Sequence, residues 1–150
     1  MARHLFAIAF CTLISNMVAI ADPLQLVSAR EMQDSLQAGG LLIPRSRPDA
    51  GAPRIEFDSP ELNRAVVVPA SIRIRFIAEP PARPDPTSFR VYYGAFRIDI
   101  TERLTGVAKV TPEGINLSEA TLPSGRHQLL MSLTDSLGRE GQRMVSFTVK

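Results

Sequence analysis

Ser71-Ile-Arg-Ile-Arg-Phe76 decides the fold class of this chain. Ile72, Ile74 and Phe76 point one way along an extended backbone, and Ser71, Arg73 and Arg75 point the other. A period of two with one apolar face marks a half-buried antiparallel strand. The same pattern recurs on both sides. Arg54-Ile-Glu-Phe57 alternates. Phe89, Val91 and Tyr93 alternate with Ser88, Arg90 and Tyr92, and Phe96, Ile98 and Ile100 with Arg97, Asp99 and Thr101. Leu129, Met131 and Leu133 line one face of a later run, and Val145, Phe147 and Val149 one face of the last.

Turn residues fall between these runs: Pro80-Pro81, Pro84-Asp85-Pro86, Pro112-Glu-Gly114, Pro123-Ser-Gly125 and Ser136-Leu-Gly138. About seven short strands over residues 54–150 predict an all-β, immunoglobulin-like antiparallel β-sandwich. Ile74, Val91, Leu129, Met131, Leu133 and Phe147 are its expected core.

The chain before residue 54 reads differently. Met1-Ala-Arg-His4 is a short basic start, Leu5 to Ile20 is apolar, and Ala19-Ile20-Ala21 ends the run in a small-x-small pattern. The pattern predicts a secretory signal peptide over 1–21, with the mature chain starting at Asp22; the alternative is an uncleaved N-terminal anchor. Thr12, Ser15 and Asn16 interrupt the apolar run, which makes it a poor membrane span, so no stable transmembrane segment is expected after cleavage. The expected location is periplasmic or secreted.

Cleavage leaves 150 − 21 = 129 residues, enough for one core. Cys11 leaves with the signal, so the mature chain has no thiol or disulfide. The mature balance of 16 basic against 15 acidic residues (17 − 1 and 15) is no footprint for nucleic acid. Ser28-Ala-Arg-Glu31 is a capping box opening a helix over roughly 28–38, which Gly39-Gly40 stops. Three turns with a thin apolar stripe either dock or fray. Leu41 to Pro53, with three prolines, reads as a linker, giving a short helix and Pro-rich linker over 22–53.

Residues 54–150 resemble a bacterial immunoglobulin-like domain of exported proteins. The resemblance rests on Ile55-Glu-Phe-Asp-Ser-Pro60, Pro86-Thr-Ser-Phe89-Arg-Val91, Leu122-Pro-Ser-Gly125-Arg-His127 and Thr134-Asp135-Ser-Leu-Gly138. It implies an architecture and no activity. The Cys-Trp-Cys signature of antibody domains is missing, since the chain has no tryptophan.

No nucleophile elbow, phosphate loop, carboxylate pair or metal cluster stands out, so no enzymatic activity and no cofactor are expected. His127, two residues past a glycine turn at a strand start, suggests a backward hydrogen bond of the tyrosine-corner kind rather than a catalytic base. Asp85, Asp99 and Asp135 match no calcium-loop spacing and read as turn or solvent carboxylates. Arg73 and Arg75 should lie on one sheet and Arg90 and Arg97 on the other, as solvated faces with cross-strand ion pairs. Tyr92, outward beside Arg90 and Arg97, has the composition of a binding hot spot. These three are the candidate binding residues. The expected function is a small exported, non-catalytic module that binds a protein or cell-envelope component. The alternative is a carbohydrate-binding or accessory domain of an exported enzyme system, and a hydrolase ranks last.

Overall fold

The computed structural model describes residues 25–39 and 49–150. The signal peptide expected over 1–21 lies outside the described residues, as does 40–48 of the expected linker. Among the described residues, no helix is long and apolar enough to cross a membrane.

Eight strands form two antiparallel sheets packed as a sandwich. The first sheet has the order β1 (Arg54–Ser59), β2 (Ala70–Ile77), β6 (Gly114–Ala120), β5 (Val110–Thr111). The second has the order β4 (Ile98–Asp99), β3 (Pro84–Tyr93), β7 (Gly125–Asp135), β8 (Glu140–Val149). The inward faces follow the alternation. Ile55, Ile74, Phe76, Ile115 and Leu117 meet Phe89, Val91, Met131, Leu133, Val145 and Phe147 between the sheets. The Phe76 and Phe89 rings cross the gap 5.2 Å apart. Of the expected core, Leu129 is only partly buried, packing against the cluster from its rim.

Sheet one depends on a single glycine. Gly114 has φ 140° and passes so close to Ile74 that a Cβ would overlap its carbonyl oxygen. Only glycine takes that conformation at that approach. Pro112-Glu-Gly114 therefore shapes the start of the central strand β6 as well as the turn.

Two expectations from the sequence, one from alternation and one from turn residues, are corrected. The strand expected over Phe96–Thr101 is broken. Gly94 (φ 63°) starts a turn, Arg97 closes it by donating its N–H to the Gly94 carbonyl, and only Ile98–Asp99 pair with β3. Phe96 sits exposed in that turn. The Asp99 carboxylate then accepts from the Thr101 N–H, and the chain enters helix α2 (Thr101–Thr105). Ile100, Leu104 and Ala108 are buried at spacings of four, a helical stripe that short-range alternation masked. The second correction concerns Pro84-Asp85-Pro86, expected as a turn but forming the start of β3. The prolines fit there because β4 reaches only Tyr92 and Tyr93, leaving that end of β3 as an edge with no ladder bond to lose.

The helix that was to dock or fray docks. Helix α1 (Ala29–Gln37) carries the capping box in full, with Ser28 as N-cap and Glu31 reaching back to its N–H at 2.9 Å. Ahead of it Leu26 and Val27 are buried in the sandwich core, and Gln25 bridges Thr121. Glu31 forms a two-pronged ion pair with Arg103 of α2 at 2.8 and 2.9 Å. The Ala95 N–H donates to Ser35 Oγ at 2.9 Å. The core thus draws on residues upstream of the Pro-rich stretch, ahead of the start near Arg54 that the alternation suggests.

Candidate functional site

The outer face of the second sheet carries the candidate residues. Strand β3 turns Phe89, Val91 and Tyr93 inward, which leaves Arg90 exposed and Tyr92 half-buried on the outside. Arg90 Nη1 donates to the Thr87 and Phe89 carbonyls at 3.0 and 2.7 Å, so its guanidinium is held close to its own strand. Tyr92 lies opposite Leu130 of β7 and Asp99 of β4, and Leu130 lies opposite Met144 of β8.

This makes a cross-strand row, Tyr92–Leu130–Met144, on the solvent side of the sheet. Leu130 is only 2% exposed although it points outward, while Met144 is 42% exposed. Cross-strand neighbours on one face lie close enough to cover a residue between them. Sequence reasoning passed over Leu130 and Met144. The signal for Leu130 was Leu129-Leu-Met131, three apolar residues in a row where alternation would put a polar residue in the middle.

Strand β3 places Arg90 and Tyr92 two residues apart on its outward face. Arg97 is placed differently: it lies in the β3–β4 turn at φ 52° and not at an alternating strand position beside Tyr92. Asp99 faces solvent and is held below the usual carboxylate range, chiefly by its Thr101 hydrogen bond, with the Arg90 charge adding to it. Arg73 and Arg75 lie on the other sheet. Arg75 pairs across strands with Glu56 at 2.9 Å and with Asp58, and Arg73 Nε donates to Asn116 at 3.2 Å.

The remaining candidates are structural in geometry. His127 is 1% exposed. Its Nε2 lies 2.8 Å from the Pro123 carbonyl, and its Nδ1 lies 2.9 Å from the Tyr93 hydroxyl. A carbonyl only accepts, so Nε2 carries the proton and Nδ1 accepts from Tyr93. The ring stacks on Phe147 with centroids 5.5 Å apart. Burial pushes His127 below the ordinary histidine value, against the Pro123 carbonyl, which pulls it up. Burial likewise raises Tyr93 to about 12, with the Glu31 charge adding to it. Both groups are neutral near pH 7, and both imidazole nitrogens are engaged.

Asp85 lies near the start of β3, Asp99 at the end of β4 and Asp135 at the end of β7. Asp85 accepts from the Thr87 N–H and hydroxyl, which hold it low. Asp135 is 3% exposed; burial pushes its carboxyl up, but Arg139 and the N–H groups of Arg139 and Leu137 outweigh that and hold it low. Among the described residues, no three His, Cys, Asp or Glu side chains group in a way that could hold a metal ion.

Comparison with family models, curated proteins and solved structures finds no match to this chain.

Proposed function

We propose that this chain is a small exported, non-catalytic module of immunoglobulin-like topology that binds a protein or cell-envelope component through the outer face of the β4-β3-β7-β8 sheet. Three features support the topology. The strand orders β1-β2-β6-β5 and β4-β3-β7-β8 correspond to the two-sheet arrangement of such sandwiches, with an extra short strand on the second. Val66, in the connection between β1 and β2, bridges Val149 in parallel, so the segment joining two strands of the first sheet also touches the second. His127, at the start of the penultimate strand, bonds back to Pro123 where these folds place a tyrosine corner. Export rests on the Leu5–Ala21 pattern.

The observation that carries the binding role is the Tyr92–Leu130–Met144 row flanked by Arg90. An aromatic beside an arginine, over an apolar strip on a rigid sheet, is the composition of interface anchors. The test is capture from native envelope extract by the wild-type chain and by Tyr92→Ala, Arg90→Ala and Arg97→Ala, with melting followed in parallel. Tyr92→Ala should weaken capture by about 2 kcal/mol, roughly thirtyfold. Its stability cost should be about 1 kcal/mol, because it uncovers Leu130. Undiminished capture by all three variants would overturn the assignment of this face. Isolated peptidoglycan and a glycan array serve as parallel baits, and binding there in place of protein would favour the carbohydrate-binding alternative.

A further inference from the structure

The sandwich has four sheet edges, and three of them are blunted. Strands β4 and β5 are two residues long, and β1 is interrupted by a register shift between Phe57 and Ser59. Short or bulged edges are the usual defences against pairing with another chain. The fourth edge, β8, pairs with β7 over ten residues with no register shift.

The backbone of β8 shows which of its groups face outward. The Val66 N–H donates to the Thr148 carbonyl at 2.8 Å, and the Lys150 N–H donates to the Val66 carbonyl at 2.9 Å. At the other end the Glu140 N–H donates to Asp49 Oδ2 at 3.3 Å. Residues 140, 148 and 150 thus face the open edge, and in an unshifted ladder so do 142, 144 and 146. Among the described residues, no backbone partner meets Gln142, Met144 or Ser146 on that side. Met144 and Ser146 are exposed, and the buried Gln142 Oε1 has no hydrogen-bond partner. The chain itself already adds a strand residue to this edge at Val66. Among the described residues, it leaves a gap about five residues long between that residue and Asp49.

We propose that this gap on β8 accepts a short extended segment of another polypeptide by strand addition. The side-chain preference follows from the two faces. On the outer face the added strand continues the Tyr92–Leu130–Met144 row, so the residue beside Met144 is apolar. Its neighbours point toward the groove between β8 and β1, of about 400 Å³, lined by Arg54, Glu56, Gln142 and Arg143 among others, and are polar. A second copy of this chain is the wrong shape for the gap. Antiparallel pairing of two β8 strands about Met144 would drive each ten-residue strand into the other's Val66 and Asp49. The edge is read from backbone geometry, and stands whether or not Tyr92 anchors a partner.

The probe is the capped peptide acetyl-Thr-Thr-Val-Thr-Thr-amide at millimolar concentration, added to the full chain. Hydrogen exchange by NMR reads the amides of Gln142, Met144 and Ser146. They should slow at least tenfold on saturation, while Arg143 and Val145, already bonded to β7, stay unchanged. The same peptide N-methylated at alternate nitrogens should give no protection. Met144→Pro removes one outward N–H without touching the β7 ladder, and should abolish the effect with the melt retained. Should that variant unfold, the N-methylated peptide still decides the matter. Tyr92→Ala should change peptide affinity less than threefold, so a failed edge and a failed outer face are told apart. Equal protection by the N-methylated peptide, or none from either, would overturn the proposal. Protection of 142–146 without peptide, together with a dimer in sedimentation, would assign the edge to a second copy instead.

Discussion

Removing the Tyr93 hydroxyl tests the buried Tyr93–His127 pair more sharply than any other change. Tyr93→Phe keeps the ring and its packing, so no large cavity opens. It deletes the donor that His127 Nδ1 accepts from at 2.9 Å, at a site where both residues are 1% exposed. The deficit is then the cost of an unsatisfied buried acceptor, about 1–3 kcal/mol. Water offers little relief. The adjoining cavity of about 30 Å³ is walled by Leu26, Val27, Val66, Phe147 and other apolar side chains. A water there would find one polar partner where it needs two or more. The upper half of the range is therefore expected, about 2 kcal/mol, read as a shift in urea midpoint at unchanged slope. A double-mutant cycle with His127→Phe completes the test. Replacing both partners by apolar rings leaves only the Pro123 carbonyl stranded, so the double variant should be less destabilised than the sum of the singles by at least 1 kcal/mol. A cost below about 0.5 kcal/mol for Tyr93→Phe, or strict additivity, would refute the pair as a structural lock.

Three further outcomes are expected. His127 has a folded-state pKa below its ordinary 6.5, so the unfolded chain binds the proton first; its contribution is complete above about pH 6.5 and is lost as pH falls through the folded value, a decline that urea titrations between pH 7.5 and 5 would show and that His127→Phe should remove. Glu31 is lowered to about 2 from 4.5, chiefly by its Arg103 hydrogen bonds, so Glu31→Gln should cost about 1–2 kcal/mol at pH 7, after allowing for the exposed Arg103, and the difference from wild type should vanish as pH drops from 4.5 toward 2. Gly114→Ala should destabilise by more than the roughly 1 kcal/mol of an ordinary strand substitution, because its Cβ meets the Ile74 backbone; a melt within a degree of wild type would show that β6 can shift to make room.

The sandwich was legible because burial on one face writes period two into the sequence, and β2, β3, β7 and β8 keep that period. It failed to read where local chemistry overrides the period. The run Phe96–Thr101 alternates as well as any strand, yet Gly94 and the Asp99 side chain divert it into a turn and a helix. Alternation registers side-chain polarity and is blind to a backbone hydrogen bond two residues on. Strand β6 lies inside the first sheet with Ile115 and Leu117 inward, but Gly114 marks it in sequence as the tail of a turn. The docking of Leu26 and Val27 was hidden for a different reason. Two apolar residues beside a capping box are common, and only the third dimension shows that they fill the end of the core beside Tyr93 and His127.

The candidate site was half legible for the same physical cause. Tyr92 and Arg90 were found because alternation says which residues leave the core. It also assumes that residues leaving the core are polar, and so it passed over Leu130, which points outward and is nonetheless buried. An apolar residue hidden on a solvent face needs neighbours to cover it. Here those neighbours are one aromatic ring on the Arg90 side and one exposed methionine on the edge strand β8. Covering Leu130 with two polar-tipped or longer side chains would have served stability alone. Ending the row instead on an exposed methionine, whose own backbone N–H and C=O meet no backbone partner among the described residues, leaves apolar surface and hydrogen-bonding capacity side by side. Folding by itself gains nothing from that adjacency, and a partner strand would use both.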